Sequence, residues 1–324
     1  MTGRQMRTVI RDKVSKWKEV ASGVPQGSVL APIMFLIYVN DLPEGLSSYM
    51  SMFADDAKIM RHIKSIESCR ELQEDLDKLH VWSQTWKMEF NAKKCHVLEM
   101  GVSDKRPNWT YKIGNEVISK KREEKDLGVI VQDNLSPEKH ISRIIGGAYG
   151  LLTNMRVAFN YMDEEMLREL IVSMIRPRLE YAAVVWSPHL KKHINKLERV
   201  QRMATKMIPD LRELTYTERL EKLQLPTLYE RRERGDQIAM FRNVKGLEKL
   251  DRQDLFVLDD GRTRGHEYKL RKSRCLNDHK KFSFPNRSIN IWNDLEEEVV
   301  NAKSINMFKN RLDSSRYGGR TTRA

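Results

Sequence analysis

The chain has 324 residues, 40% of them hydrophobic, with a formal net charge of +13 at pH 7 and a sequence pI near 9.5. That length supports roughly two or three folded units with buried cores, and the positive excess is the electrostatic footprint of a phosphate-binding protein. Cysteines 69, 95 and 275 are too far apart for a disulfide framework or a zinc knuckle, and there is no signal peptide or membrane-length apolar run. A soluble, intracellular protein is expected, with nucleus or cytoplasm left open.

In chain order, Arg11-Asp12-Lys13 reads as a hairpin turn, and Ser22-Gly-Val-Pro-Gln-Gly-Ser28 reads as a loop. Gly23 and Gly27 let backbone approach a ligand, Pro25 stiffens the loop, and the Gln26 amide offers a donor and an acceptor to a base or sugar. Val29 to Val39 predicts a buried helix, which Asn40-Asp-Leu-Pro-Glu-Gly45 ends. Met50 to Phe53 and Lys58 to Met60 predict two short strands with Asp55 and Asp56 at the turn between them. Paired carboxylates on a rigid hairpin suit Mg²⁺, which takes hard oxygen ligands, keeps several waters and leaves the remaining positions to substrate phosphates. Taken alone, such a turn is more often a solvated surface feature.

Together these pieces resemble the reverse transcriptases of LINE-type (non-LTR) retrotransposons, most closely the jockey-like mobile elements. Ser22, Gly23, Pro25, Gln26, Gly27 and Phe53 then stand where the family contacts nucleotide and template, and Asp55 and Asp56 where it holds metal. The resemblance continues through a helix from Ile66 to Thr85, through Trp82 and Trp86, and into Asn91-Ala-Lys-Lys94-Cys95. There Lys94 matches a palm lysine that neutralises the triphosphate or protonates its leaving group. Lys125-Asp-Leu-Gly-Val129 matches the strand that supports the primer end, and Val129 to Val131 is β-branched in its own right.

From Glu138 onward the pattern is helical. Leu151, Met155 and Phe159, then Met166, Leu167, Leu170, Ile171, Met174 and Ile175 read as core, with Pro177 expected to kink or end the second segment. Tyr181 to Trp186 reads as packing. Along a helix from His189 to Ile208, the cations Lys192, Lys196, Arg199, Arg202 and Lys206 share about a third of the circumference, opposite Ile194, Leu197, Ala204 and Ile208. This is either a solvated face or a nucleic-acid backbone contact, and the resemblance to a thumb favours the second. His189 and His193 have no acid or cysteine cluster around them and are assigned to a polar helix face. The stretches Pro188 to Lys206 (+5) and Gly261 to Arg287 (+7) hold nearly all the excess charge. Tyr268, Phe282 and Phe284 lie in the second, where base stacking is expected, with a disordered linker as the alternative. Ile289 to Leu312, with Trp292, Leu295, Val299 and Phe308, reads as a structural helical tail.

The expected fold class is α+β, a partial polymerase palm (truncated antiparallel sheet with helices) followed by a mainly helical thumb and a C-terminal extension. Residues 1–125 are expected to form the palm, 126–225 the palm-to-thumb strand and helical thumb, and 226–324 a basic linker and helical extension. The resemblance implies RNA-directed DNA synthesis by two-metal nucleotidyl transfer, using Mg²⁺ (or Mn²⁺), an RNA template, a DNA primer and deoxynucleotides. The family's earlier palm strand with its aspartate, and its fingers, have no counterpart in the chain. Asp12 and Asp41 fall in a hairpin turn and a helix stop, so the chain alone is expected to be inactive. Ala31-Pro-Ile-Met34 and Ala57 are mild departures from the family pattern. The alternative is a non-catalytic nucleic-acid-binding or interaction protein built from the thumb; no membrane partner is expected, and the oligomeric state is not indicated.

Overall fold

A computed structural model describes residues 3–20, 23, 27–101, 106–259 and 265–318. The chain forms two compact units, Met1–Val97 with Ser103–Lys121, and Leu98–Val102 with Arg122–Ala324. Helices and small sheets are mixed, and every sheet among the described residues is two-stranded.

In the first unit β1 (Arg4–Met6) pairs with β4 (Lys18–Val20), and β2 (Val9–Ile10) pairs with β3 (Lys13–Val14) around Arg11 and Asp12. Helix α1 (Leu30–Tyr38) forms as predicted but is not buried. Its apolar residues circle the whole helix, and only the row Ala31, Phe35 and Val39 is covered; Val29 is 84% exposed and Ile37 72%. Hairpin strands β5 (Tyr49–Phe53) and β6 (Asp56–Met60) follow, and then α2 (Ile66–Thr85), whose Ser65 side chain caps the Ser68 amide. The unit closes with β7 (His96–Leu98), which pairs with β10 (Ser119–Lys121), and with the hairpin of β8 (Lys112–Ile113) and β9 (Glu116–Val117). Its core is one small cluster, Leu42, Cys69, Leu76, Leu79, Tyr111 and Ile118.

A buried carboxylate ties the start of the β5–β6 hairpin to α2. Asp75 accepts hydrogen bonds from the Ser47 amide (3.0 Å), the Ser47 hydroxyl (2.9 Å), the Ser48 amide (2.8 Å) and Lys78 Nζ (3.1 Å). Burial pushes its pKa upward, but the donors at Ser48, Ser47 and Lys78 together outweigh that and hold the carboxyl well below the usual range. Because the folded value lies below the unfolded one, this stabilisation is complete above about pH 4 and is lost as pH falls below it. Asp75→Asn removes the charge and one acceptor, and is expected to destabilise the first unit by about 2–3 kcal/mol. Its acid unfolding should then begin from a lower plateau; an unchanged urea midpoint at pH 7 would contradict the assignment.

The second unit begins with the hairpin of β11 (Glu123–Asp126) and β12 (Val129–Gln132), followed by α3 (Glu138–Ala158), α4 (Glu164–Leu170), α5 (Arg176–Glu180), α6 (Ala183–Trp186) and α7 (Lys191–Ala204). Helices α8 (Tyr216–Lys222) and α9 (Leu228–Val244) each start with a capping box, Thr215 with Glu218 and Thr227 with Glu230. Beyond them come α10 (Arg252–Leu255), the pair β13 (Val257–Leu258) and β14 (Leu270–Arg271), and then α11 (Asp278–Phe282), α12 (Ile289–Asn293), α13 (Glu297–Val300) and α14 (Ile305–Arg316). The predicted tail is therefore three helices, and Trp292, Leu295, Val299 and Phe308 are all buried in it.

Two core expectations are corrected. The fully buried row is Leu167, Ile171, Ile175 and Leu179, at spacing four, while Met174 faces out on the next row; Phe159 lies just past the end of α3 and is exposed. Pro177 does not end the segment, which runs on to Glu180. Ile171–Ile175 form a π-helical turn just before it, and the wider turn accommodates the missing amide and the ring of the proline.

Candidate functional site

The acidic turn is tighter than its sequence implies. Phe53 pairs with Asp56, so the loop is Ala54-Asp55 alone, and Asp56 is the first residue of β6. Ala54 takes φ 52°, a left-handed conformation that costs a non-glycine residue roughly 1–2 kcal/mol. Asp55, Asp56 and Phe53 are all exposed at this tip. Neither carboxylate has a hydrogen bond or ion pair among the described residues, so both are free to bind a cation. As a donor set they fit a hard divalent ion that draws its other ligands from phosphate and water. Among the described residues no group of three His, Cys, Asp or Glu side chains converges on a metal position.

The other predicted residues of the first unit are less concentrated. Ser22, Pro25 and Gln26 lie outside the described residues. Gly23 and Gly27 take φ 82° and 86°, the left-handed region where glycine is favoured, and the Gly23 carbonyl accepts a bond from the Arg4 guanidinium at 2.6 Å. Lys94 is exposed at the end of a 3₁₀ turn, its amide bonded to the Asn91 carbonyl at 2.9 Å. Asp12 sits in the β2–β3 turn, and Asp41 accepts from Trp82 Nε1 at 3.0 Å. Trp82 thereby fixes the end of α1 together with Trp86, both rings lying edge-on to Tyr38, whose hydroxyl donates to the Trp86 carbonyl.

In the second unit, Asp126 pairs with Val129, which leaves a two-residue loop with φ 43° at Leu127 and 91° at Gly128, the signs of a type I′ turn. Tyr181 clasps that loop. Its hydroxyl donates to the Leu127 carbonyl at 2.9 Å, and its ring lies 3.1 Å from where a side chain at position 128 would start. The reading of Tyr181 as plain packing missed this bond; the Leu-Gly pair at the turn was the one available signal.

Helix α7 presents the basic face. Lys192, Lys196, Arg199 and Arg202 are exposed along it, and exposed Lys206 follows in the turn beyond Ala204. His193, Leu197, Val200, Gln201 and Ala204 form the opposite, buried row. His193 is therefore a core residue rather than part of a polar face, and burial lowers its pKa, favouring the neutral ring. Beneath the helix, Glu198 accepts from the Tyr216 hydroxyl and from the Leu228 amide at 3.1 Å. Burial and the Glu198 charge push the Tyr216 phenol far up, so it stays a donor, and the Arg202 guanidinium lies 4.7 Å over its ring. Buried Arg176 donates to Gln201 at 3.2 Å and to the Pro226 carbonyl at 2.9 Å; burial and nearby Arg231 pull its pKa down to about 10.

Comparison with known proteins gives these features a context. The family described as reverse transcriptase (RNA-dependent DNA polymerase) matches residues 4–131. The chain is 29% identical over 212 residues to the RNA-directed DNA polymerase from mobile element jockey of Drosophila funebris, covering 61% of this chain and 23% of that protein. It is 23% identical over 221 residues to the probable RNA-directed DNA polymerase from transposon X-element of Drosophila melanogaster, covering 64% and 24%. To the retrovirus-related Pol polyprotein from type-1 retrotransposable element R1 of Bradysia coprophila it is 27% identical over 247 residues, covering 72% and 24%. The chain thus spans about a quarter of the length of the curated relatives it matches. No solved structure matches it. Among the described residues no helix is long and apolar enough to cross a membrane. Residues 4–131 thus resemble the reverse transcriptase family, and about 60% of the chain is similar to RNA-directed DNA polymerases from jockey-type mobile elements.

Proposed function

We propose that the chain is the part of a LINE-type RNA-directed DNA polymerase that carries one side of its metal site and a helical nucleic-acid grip. The observation that carries this reading is the tight, exposed Ala54-Asp55-Asp56 turn inside the segment that matches the reverse transcriptase family. Asp55 and Asp56 would hold Mg²⁺, or Mn²⁺ in its place, against the phosphates of a deoxynucleotide. The bound ions would stabilise the attacking and leaving oxygens of the transfer. Lys94 would neutralise triphosphate charge, the loop from Ser22 to Gly27 with Phe53 would seat the nucleotide and template, and the clasped β11–β12 hairpin would support the primer end. Residues 1–125 would act as palm, 126–225 as primer support and thumb, and 226–324 as a basic extension.

The test is primer extension on a poly(rA) template, with a separate fragment from a jockey-type relative supplying the fingers and the further palm acid. Incorporation that depends on Asp55 and Asp56 supports the reading, and incorporation indifferent to both overturns it. The α7 face has its own test. Binding to a primer–template duplex is expected to fall about 10³-fold or more between 50 and 200 mM salt if about six phosphates are neutralised. Changing Lys196, Arg199 and Arg202 together to Ala should flatten the slope by about three units; an unchanged slope returns these residues to a solvated face. A polymerase test that fails beside a salt test that succeeds would favour a non-catalytic nucleic-acid-binding protein.

A further inference from the structure

The end of the second basic stretch, from α11 to Arg287, lies beside the first. At the start of α7, the ring of His189 stacks on Phe282 of α11, centroids 4.1 Å apart and planes within 2° of parallel. This contact joins positions 93 residues apart in sequence and brings Lys280 and Lys281 to the end of α7 that bears Lys191 and Lys192. All four lysines are exposed. Arg287 locks the arrangement: its guanidinium grips Asp236 of α9 at 2.7 and 2.8 Å, donates to the Val184 carbonyl of α6 at 2.7 Å, and reaches the Phe282 carbonyl at 3.3 Å. A segment of such composition would be a solvated linker if nothing held it. Here a buried ion pair and a ring stack hold it.

The same geometry removes the expected base-stacking platform. Phe282 has one face covered by His189. Phe284 packs against the second core with Arg287 over its ring, and Tyr268 packs there under Lys245 Nζ, 3.5 Å from its centroid. Single-strand binding draws roughly 1–3 kcal/mol per stacked base from free aromatic faces. The charge at this surface remains, and each of the three rings already has a partner.

We propose that α11 extends the α7 face into one phosphate-binding surface that holds a nucleic-acid duplex by its backbone, without stacking on its bases. This rests on the reading of α7 as a nucleic-acid surface and adds to it the partner's form and the part taken by the C-terminal segment. Sequence-independent binding with a steep salt dependence follows, because each neutralised phosphate releases counterions.

The experiment is fluorescence anisotropy of the full chain with a 20-base-pair RNA–DNA hybrid and with oligo(dT) of equal length, titrated at several KCl concentrations. The duplex is expected to bind more tightly than the single strand. Lys280→Glu with Lys281→Glu should lower the duplex salt slope by about two units and the affinity roughly tenfold or more at 100 mM. Lys192→Glu with Lys196→Glu should do the same, and Lys249→Glu with Lys303→Glu, outside both elements, should do neither. If the α7 pair weakens binding and the α11 pair leaves affinity and slope at wild-type values, the extension is wrong and the α7 reading stands. If both pairs are silent, both readings fail. Oligo(dT) binding as tight as the hybrid would overturn the duplex assignment.

Discussion

Residues 1–324 by themselves are expected to leave an oligo(dT) primer on poly(rA) unextended with either Mg²⁺ or Mn²⁺. Two-metal transfer clamps the attacking and leaving oxygens between ions, and the protein must fix those ions from more than one direction. Asp55 and Asp56 lie at one hairpin tip, and among the described residues no third His, Cys, Asp or Glu side chain converges with them. Each 1.36 kcal/mol of lost stabilisation is tenfold in rate, so a deficit of only about 4 kcal/mol already costs 10³-fold. When a fragment bearing the further acid is added, synthesis is expected to appear. Asp55→Ala or Asp56→Ala should then each reduce it by about 10³-fold, since even residues that merely support metal ligands typically cost 10–100-fold. Extension by the unsupplemented chain that vanishes in both variants would show that the chain completes the metal site with its own residues.

The second large effect is a difference in protection between the two units. A two-stranded hairpin is marginal in water, and β5–β6 is backed by a single small cluster, whereas Leu167, Ile171, Ile175 and Leu179 are completely buried in an extensive one. Amides from Met50 to Met60 are expected to exchange at least about 10²-fold faster than those from Leu167 to Leu179, because local opening spans the range from near zero to the global free energy. The exposed apolar surface of α1 is a separate liability, favouring self-association. Ile37→Glu, at a position already in water, should improve solubility with little change in stability. Equal protection of the two segments would mean that the hairpin is held by something other than the described cluster.

Local signals were read more reliably from the sequence than cover. Helix α2 matches the span from Ile66 to Thr85 that the resemblance implied, and locally its start is fixed by the Ser65 cap just before it. The α1 helix also forms where expected, yet its exposure was invisible. Apolar residues mark what tends to be buried and say nothing of whether a neighbour is there to bury it. His193, read as part of a polar face, failed in the opposite sense, and buried Asp75 and Arg176 drew no reading at all. Charged and polar residues read as surface, and only partners that are distant in sequence or on the facing loop, Ser47 for Asp75 and Pro226 for Arg176, show that they are interior. The acidic turn was legible as a hairpin tip, but its second strand starts at Asp56, two residues before the expected Lys58, since strand register depends on pairing rather than on composition. The His189–Phe282 stack lay beyond any local pattern, as did the Tyr181 clasp.

The basic helix and both of the larger cores lie within one compact unit, while the paired acids belong to the other. On the proposed reading of the acidic turn and of α7, chemistry and grip can then be lost separately. A lineage whose acidic turn decayed would, on that reading, keep a protein that still competes for duplexes with intact polymerases of its own kind, and the first consequence of that decay would be interference rather than silence.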